Sequence, residues 1–300
     1  MQKKFRRWLS TPDPWTNHNI AREAYHRGTA TWFTQGDMFG QWKSTGSLLW
    51  VNGLRARLSL HYFPLLIKFP PNALAGSGKT IISYVSLQPS LIRRTHVIDS
   101  SSIIEDIQDI CQTGLAALSI YYCDFRDINK QNARNLLSSV LIQLCHQSDT
   151  FSEVLSSVYS THGNGSRQPS IDSLLGCLKS MLKLPRQGAL YLVIDALDEC
   201  PNSSGCPTSR EQVLVILQEL VDLQLPHVHL CITSRPEVDI RDVLEPRAVH
   251  NVPLHEQDGQ NQDIADYIND SVRSDPRMRR WREEDKQLVI ETLTKKAGGM

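Results

Sequence analysis

Apolar residues along the chain gather into five short runs separated by polar or amphipathic stretches. The runs are Ser47–Gly53, Ser119–Phe125, Leu190–Ile194, His227–Thr233 and a weaker one over Val249–Leu254. Continuous apolar runs of this length, closed by Gly or by polar turn residues, predict strands buried on both faces. Between them lie helical patterns at Asn135–Leu144, Ile171–Leu182 and Glu211–Leu223. The last carries Val213, Ile216, Leu217, Leu220 and Val221 on one face. Strands alternating with amphipathic helices predict an α/β class, a mainly parallel sheet covered on both sides. Ahead of the first strand come a polar loop, Ser10–Asn19, a helical turn over Ala21–Tyr25, and an amphipathic piece that follows Thr31-Trp32-Phe33 and ends near Trp42-Lys43. The aromatics there are expected to be packing anchors. Past Leu254 the pattern becomes two polar-faced helices, Gln260–Val272 and Glu283–Lys296. Between them sit Arg273, Arg277, Arg279 and Arg280, interleaved with Asp266, Asp270, Asp275, Glu283, Glu284 and Asp285. That mixture predicts a solvated, salt-bridged surface. Three regions follow: an N-terminal helical or linker segment (1–45), an α/β domain (46–255) and the start of a helical region (256–300).

Composition narrows the functional classes. With 300 residues, 40% of them hydrophobic, the chain can build one large or two modest cores. Its formal net charge of zero provides no basic field for nucleic acid and no polybasic run for a membrane surface. The seven cysteines are scattered, without a CxxC pair or zinc spacing, and are expected to be free thiols in a reducing compartment. The basic start, Met1–Arg7, precedes no apolar run of signal length. The longest apolar window, Tyr62–Phe69, is too short to span a bilayer and contains Pro64 and Lys68. A soluble cytoplasmic chain is expected, with neither nucleic acid nor membrane as partner.

Two stretches carry chemistry. Ala75-Gly76-Ser77-Gly78-Lys79-Thr80 has the composition of a phosphate-binding loop. Glycines let successive backbone N–H groups wrap a phosphate, a lysine reaches its outer oxygens, and a hydroxyl next to it holds magnesium. Gly76, Ser77, Gly78, Lys79 and Thr80 supply these, and Ile81-Ile82 suits the first turn of a helix whose positive end faces the anion. The full pattern also wants a glycine five residues before Gly78, where Ala73 stands. The second stretch is Leu190-Tyr191-Leu192-Val193-Ile194-Asp195-Ala196-Leu197-Asp198-Glu199. Asp195, ending an apolar strand, is placed to hold magnesium at the carboxyl edge of a parallel sheet. Asp198 and Glu199 follow in the next loop, where one of them orients or activates an attacking water. The plainer alternative is a polar turn with two solvated acids. Arg235, in Thr233-Ser234-Arg235-Pro236, closes the next strand, either to neutralise a terminal phosphate or as a surface arginine held by Pro236.

The order of these features resembles the NACHT-type NTPases of the STAND class, in particular their fungal nephrocystin-like group. The likeness rests on Ser10–Pro14, Asn17-His18-Asn19, His26–Thr29, Thr31–Phe33, Trp42–Trp50, Asp124–Asp127, Ile194–Pro201 and Thr233–Glu237, with Lys296–Met300 as the start of the following region. It implies a three-layer P-loop core of five strands, with the strand ending in Thr233 lying between the strands that carry the loop and Asp195. It also implies a switch driven by ATP or GTP with Mg2+, self-oligomerisation, and signalling to an effector domain, in fungi linked to nonself recognition or programmed cell death. Relative to that family the chain is expected to be truncated, with effector and sensor domains outside it.

Two departures qualify the likeness. In the family the strand runs straight into the loop, which here would read Gly53-Leu54-Ala75-Gly76-Ser77-Gly78-Lys79-Thr80 and would supply the missing glycine as Gly53. Segment 55–74 intervenes, long for a tight turn, although Leu65–Phe69 could act as a substitute strand. Segment 84–100 interrupts the helix expected to run from Thr80–Ser83 into Ser101–Ile107, and it contains Pro89. Removing both repairs strand, loop and helix together, so both are expected to be retained introns or gene-model errors. Alternatives to the switch are a non-binding scaffold or decoy fragment and a housekeeping ATPase of the same core, so slow hydrolysis is an open expectation. Sequencing the spliced transcript is expected to give a message without either segment; reads that span both would reject the expectation.

Overall fold

The five apolar runs form five strands: β1 (Leu48–Asn52), β2 (Ala116–Tyr122), β3 (Ala189–Asp195), β4 (Val228–Ser234) and β5 (His250–Pro253). The structure, a computed structural model, describes residues 2–24, 30–53, 100–185, 188–203, 205–254 and 257–297. The loop 75–80, the segments 55–74 and 84–99 and the substitute strand Leu65–Phe69 lie outside the described residues. The strands pair in the order β2-β3-β4-β1-β5, every pairing parallel. The strand that ends at Thr233–Ser234 therefore lies between β1 and β3, the order implied by the resemblance. In register, Asn52 is opposite both Ser234 and Pro253, Ile194 opposite Ile232, and Tyr122 opposite Asp195.

Both ends of β2 lie away from the sequence reading. The run Ser119–Phe125 is strand only to Tyr122; the strand begins earlier, at Ala116. Beyond Tyr122 the chain turns, because Asp124 accepts the backbone N–H of Arg126 at 2.9 Å and so closes a local turn.

Helices cover both faces. Ten belong with the sheet: α1 (Gln2–Leu9), α2 (Trp15–Ala24), α3 (Thr31–Thr34), α4 (Asp37–Thr45), α5 (Ser100–Gln112), α6 (Ala133–Gln147), α7 (Asp149–Thr161), α8 (Ile171–Leu182), α9 (Ser209–Val221) and α10 (Val238–Leu244). Side chains alternate across a strand, so Leu190, Leu192 and Ile194 pack with Leu230 and Ile232 into a core shared with α1, α6, α7, α8 and α9. On the opposite side Tyr191 stacks on His229 at 4.5 Å between centroids, and both rings touch Trp42 of α4. Phe33, Phe39 and Trp42 are fully buried, packing anchors as expected. Gly46, which ends α4, has φ +56°, and a Cβ there would stand 1.9 Å from the Pro226 carbonyl oxygen, so only glycine fits.

The apolar pattern of three helices was legible but not predicted. Phe151, Val154, Leu155 and Val158 recur at helical spacing through the serine-rich α7 and pack on the core. In α1 the basic residues mask Phe5, Trp8 and Leu9, which are buried; Trp8 donates Nε1–H to the Arg167 carbonyl at 2.8 Å. The short α10 is anchored by Ile240 and Leu244.

The outer edge of β2 is capped by two glutamines one helical turn apart on α6. Gln147 accepts the Leu118 N–H at 2.9 Å and donates to its carbonyl at 2.7 Å. Gln143 does the same for Ile120, at 3.0 and 2.8 Å. Each side-chain amide thus takes the place of a neighbouring strand's peptide group.

A second unit holds Ala30 and residues 257–297, with α11 (Asp258–Ser274) packed on α12 (Glu283–Ala297). Arg273 pairs with Glu283, and Lys286 lies 3.7 Å from the same carboxylate, as expected of a salt-bridged surface. Among the described residues no helix is long and apolar enough to cross a membrane.

His229 generates a pH dependence. Its Nδ1 lies 2.9 Å from the Trp42 carbonyl oxygen, an acceptor only, so Nδ1 carries the proton of the neutral ring. Burial lowers its pKa below the ordinary histidine value. Its stabilising contribution is therefore present above about pH 6.5 and is lost as pH falls below that, because the unfolded chain then binds the proton. His250, also lowered by burial, acts with the same sign. Denaturation at pH 7.5 and 5.5 is expected to show lower stability in acid, and His229→Phe is expected to flatten that slope; an unchanged slope would rule His229 out as the cause.

Candidate functional site

At the carboxyl edge of the sheet, three neighbouring strands end in groups that hold one another. Ala196, immediately after β3, takes left-handed backbone angles of φ 54° and ψ 48°. A residue with a Cβ adopts that conformation at a cost of about 1–2 kcal/mol, so something must hold it. Thr233 does so: its Oγ1 accepts the Ala196 N–H at 2.9 Å and donates its own proton to Asp195 Oδ1 at 2.6 Å. The reversal sends Leu197–Glu199 into one 3₁₀ turn, pinned from beneath by fully buried Leu197.

Each acid of this turn faces a different neighbour. Asp198 accepts the Arg235 backbone N–H at 3.0 Å through Oδ1, and the Arg235 Nε lies 3.1 Å from Oδ2. Both of its oxygens are thus engaged by the residue that follows β4. Glu199 turns the other way and accepts the Phe125 N–H at 3.0 Å through Oε2, beyond the end of β2. Burial pushes the Glu199 pKa above the ordinary glutamate value, and the nearby carboxylates of Asp124 and Asp198 push the same way. Asp124 is shifted oppositely. Arg126 grips both its oxygens, at 2.9 and 2.8 Å, and holds the carboxyl down to about 2.

The Asn17-His18-Asn19 step of α2 reaches this edge. Asn17 donates to Asp124 Oδ2 at 3.2 Å and accepts from Lys130 Nζ at 2.6 Å. Buried His18 lies 3.2 Å from the Tyr122 hydroxyl. Beneath the turn, the thiols of Cys123 and Cys200 meet with sulfurs 3.4 Å apart, and the hydrogen bond with Cys200, together with burial, raises the Cys123 pKa well above the usual thiol value. All seven cysteines are free.

On the far side of β4, β1 ends in Asn52, whose Nδ2 donates to Asn251 Oδ1 at 2.5 Å. Gly53 donates its N–H to the Ser234 carbonyl at 3.3 Å. A Cβ on Gly53 would meet Leu254 only at ordinary contact distance. The structure thus brings Gly53, Asp195, Asp198, Glu199 and Arg235 to one edge. Gly76, Ser77, Gly78, Lys79 and Thr80 lie outside the described residues.

Arg210, on the first turn of α9, is a residue the sequence reading missed. It is 5% exposed and points beneath the acid turn, where Nε donates to the Cys200 carbonyl at 2.9 Å and Nη2 to the Asp198 carbonyl at 2.5 Å.

A family model described as nephrocystin 3, N-terminal, matches residues 71–235, more than half of the chain. The chain belongs to that family. The nephrocystin 3 N-terminal match begins beyond β1, takes in 75–80 and the acid turn, and closes on Arg235. No curated protein gives a match to the chain.

Thr233 is the testable element of this geometry. Thr233→Val keeps the volume but removes the hydroxyl that holds both Asp195 and the strained Ala196 N–H. It is expected to lower unfolding free energy by about 1–3 kcal/mol, read by denaturant titration; no loss would show that the turn holds itself.

Proposed function

We propose that this chain is a nucleotide-binding switch module of the NACHT type, loaded with ATP or GTP and Mg2+, that self-associates to signal. The observation that carries the reading is the acid turn, with Asp195, Asp198 and Glu199 set out at the carboxyl edge, one strand across from the end of β1. In open α/β sheets, ligands bind outside the carboxyl ends of the strands. Family membership and the Gly-Ser-Gly-Lys-Thr sequence support the same reading.

The donor set suits the cation. Among the described residues no group of three or more His, Cys, Asp or Glu side chains is arranged to hold a metal by itself. Mg2+ does not ask for one, since it commonly takes one or two protein oxygens and completes its shell with phosphates and water. Asp195 and Thr80 would hold it, and once bound it would neutralise phosphate charge. Gly76, Ser77 and Gly78 would supply backbone N–H groups and Lys79 a charge to the outer phosphates, while Gly53, whose own N–H is held by the Ser234 carbonyl, would let the chain turn from β1 toward the loop. Glu199 is the better of the two acids to act on a water. Asp198 has both oxygens on Arg235, whereas among the described residues Glu199 Oε1 accepts no hydrogen bond. Its raised pKa makes it a stronger base than an ordinary glutamate. Arg235, with a third of its side chain exposed, would meet the terminal phosphate by leaving Asp198.

Titration of a fluorescent ATP analogue tests this. Weak magnesium-dependent binding is expected for the full chain and clear binding once 55–74 and 84–100 are removed, abolished by Lys79→Ala. Turnover is expected to be slow and to be lost in Glu199→Gln. Absence of binding in both forms would overturn the reading in favour of a non-binding scaffold. Fast steady turnover would favour a housekeeping ATPase.

A further inference from the structure

The geometry assigns Arg210 as a positioning residue that makes the acid turn after β3 and the segment after β4 move as one piece. A cation in the first turn of a helix faces the positive end of the helix dipole, so local electrostatics disfavour it there. The start of α9 is otherwise well formed: Thr208 and Glu211 make a complete capping box. Arg210 is also almost fully buried, where a charge requires hydrogen bonds and counter-charges. It is compensated through contacts made outside its own helix.

These contacts fall in two groups. Nε and Nη2 hold the Cys200 and Asp198 carbonyls, the backbone that carries the acids. Nη1 bonds Glu237 and lies 3.3 Å from Asp239, the residues that lead from Arg235 into α10. The backbone adds a tie, the Arg210 N–H donating to the Pro201 carbonyl at 3.2 Å. The planar guanidinium therefore has one edge on each loop. Asp198 and Arg235 also join these two loops, and Asn202 donates to Asp239 at 2.9 Å, so Arg210 forms the most deeply buried of three fastenings. Displacement of the Arg235 side chain by a phosphate would shift more of the hold on the acid turn, and so on Glu199, to the buried guanidinium. Only that consequence rests on the nucleotide reading; the fastening itself does not.

Amide hydrogen exchange on the full chain tests the assignment. In Arg210→Lys, whose single ammonium cannot span both edges, peptides covering 195–201 and 235–240 are expected to exchange about tenfold faster, with β2 and α6 unchanged. Glu237→Gln with Asp239→Asn, both partly exposed acids, is expected to give the same local pattern and carries the test if Arg210→Lys does not fold. Unchanged exchange in both loops, or an even acceleration across the sheet, would overturn the assignment. Where turnover is measured, Arg210→Lys is expected to lower kcat about tenfold or more with KM nearly constant; a change in KM alone would count against it. Saturating magnesium nucleotide is expected to slow exchange at 195–201 in the wild type. If it does not while the variants behave as expected, the nucleotide reading fails and the assignment stands.

Discussion

The Thr233 hydroxyl sits where two strands of the sheet must agree. It accepts from Ala196 and donates to Asp195, so a single oxygen both stabilises a left-handed alanine and aims the carboxylate before it. Everything at the edge depends on that reversal. Without it β3 would continue outward, and Asp198 and Glu199 would not reach the ends of β4 and β2. Parallel pairing matters equally, because only parallel strands bring the exits of β2, β3, β4 and β1 to the same side of the sheet.

The same turn explains why two adjacent acids differ. Asp198 lies against a guanidinium that neutralises it. Glu199 lies against a backbone N–H and two other carboxylates, and burial is the larger influence on it. One residue's difference along a 3₁₀ turn is about 120° of direction, enough to send the two side chains to opposite neighbours. Their chemistry is set by which strand each one faces.

Much of this could be read from the chain. Leu48–Val51 and Leu190–Ile194 are apolar without interruption, and Val228–Ile232 is broken only by His229, because both faces of the sheet are covered, and that pattern is a property of sequence. Asp195 was visible as the first charge after such a run. The strand order was not, since nothing in the pattern of β1 names β4 as its neighbour; the resemblance alone supplied it. The end of β2 was misplaced because Cys123 and Phe125 look like strand, while Asp124 makes a turn only through its bond to Arg126. Arg210 was invisible for a related reason. Its partners are two carbonyls and two acids from separate segments, which a one-dimensional pattern does not bring together.

The glutamine pair on α6 bears on how the molecule avoids its own kind. An uncovered outer strand is a template for a second sheet, and β2 is apolar along most of its length. With Leu118 and Ile120 already bonded to Gln147 and Gln143, an incoming strand must first displace four hydrogen bonds to gain similar ones. At the opposite margin β5 has only four residues and ends in a proline, which has no N–H to offer. Edge-to-edge joining of sheets from two copies is thus disfavoured at both margins of the described sheet.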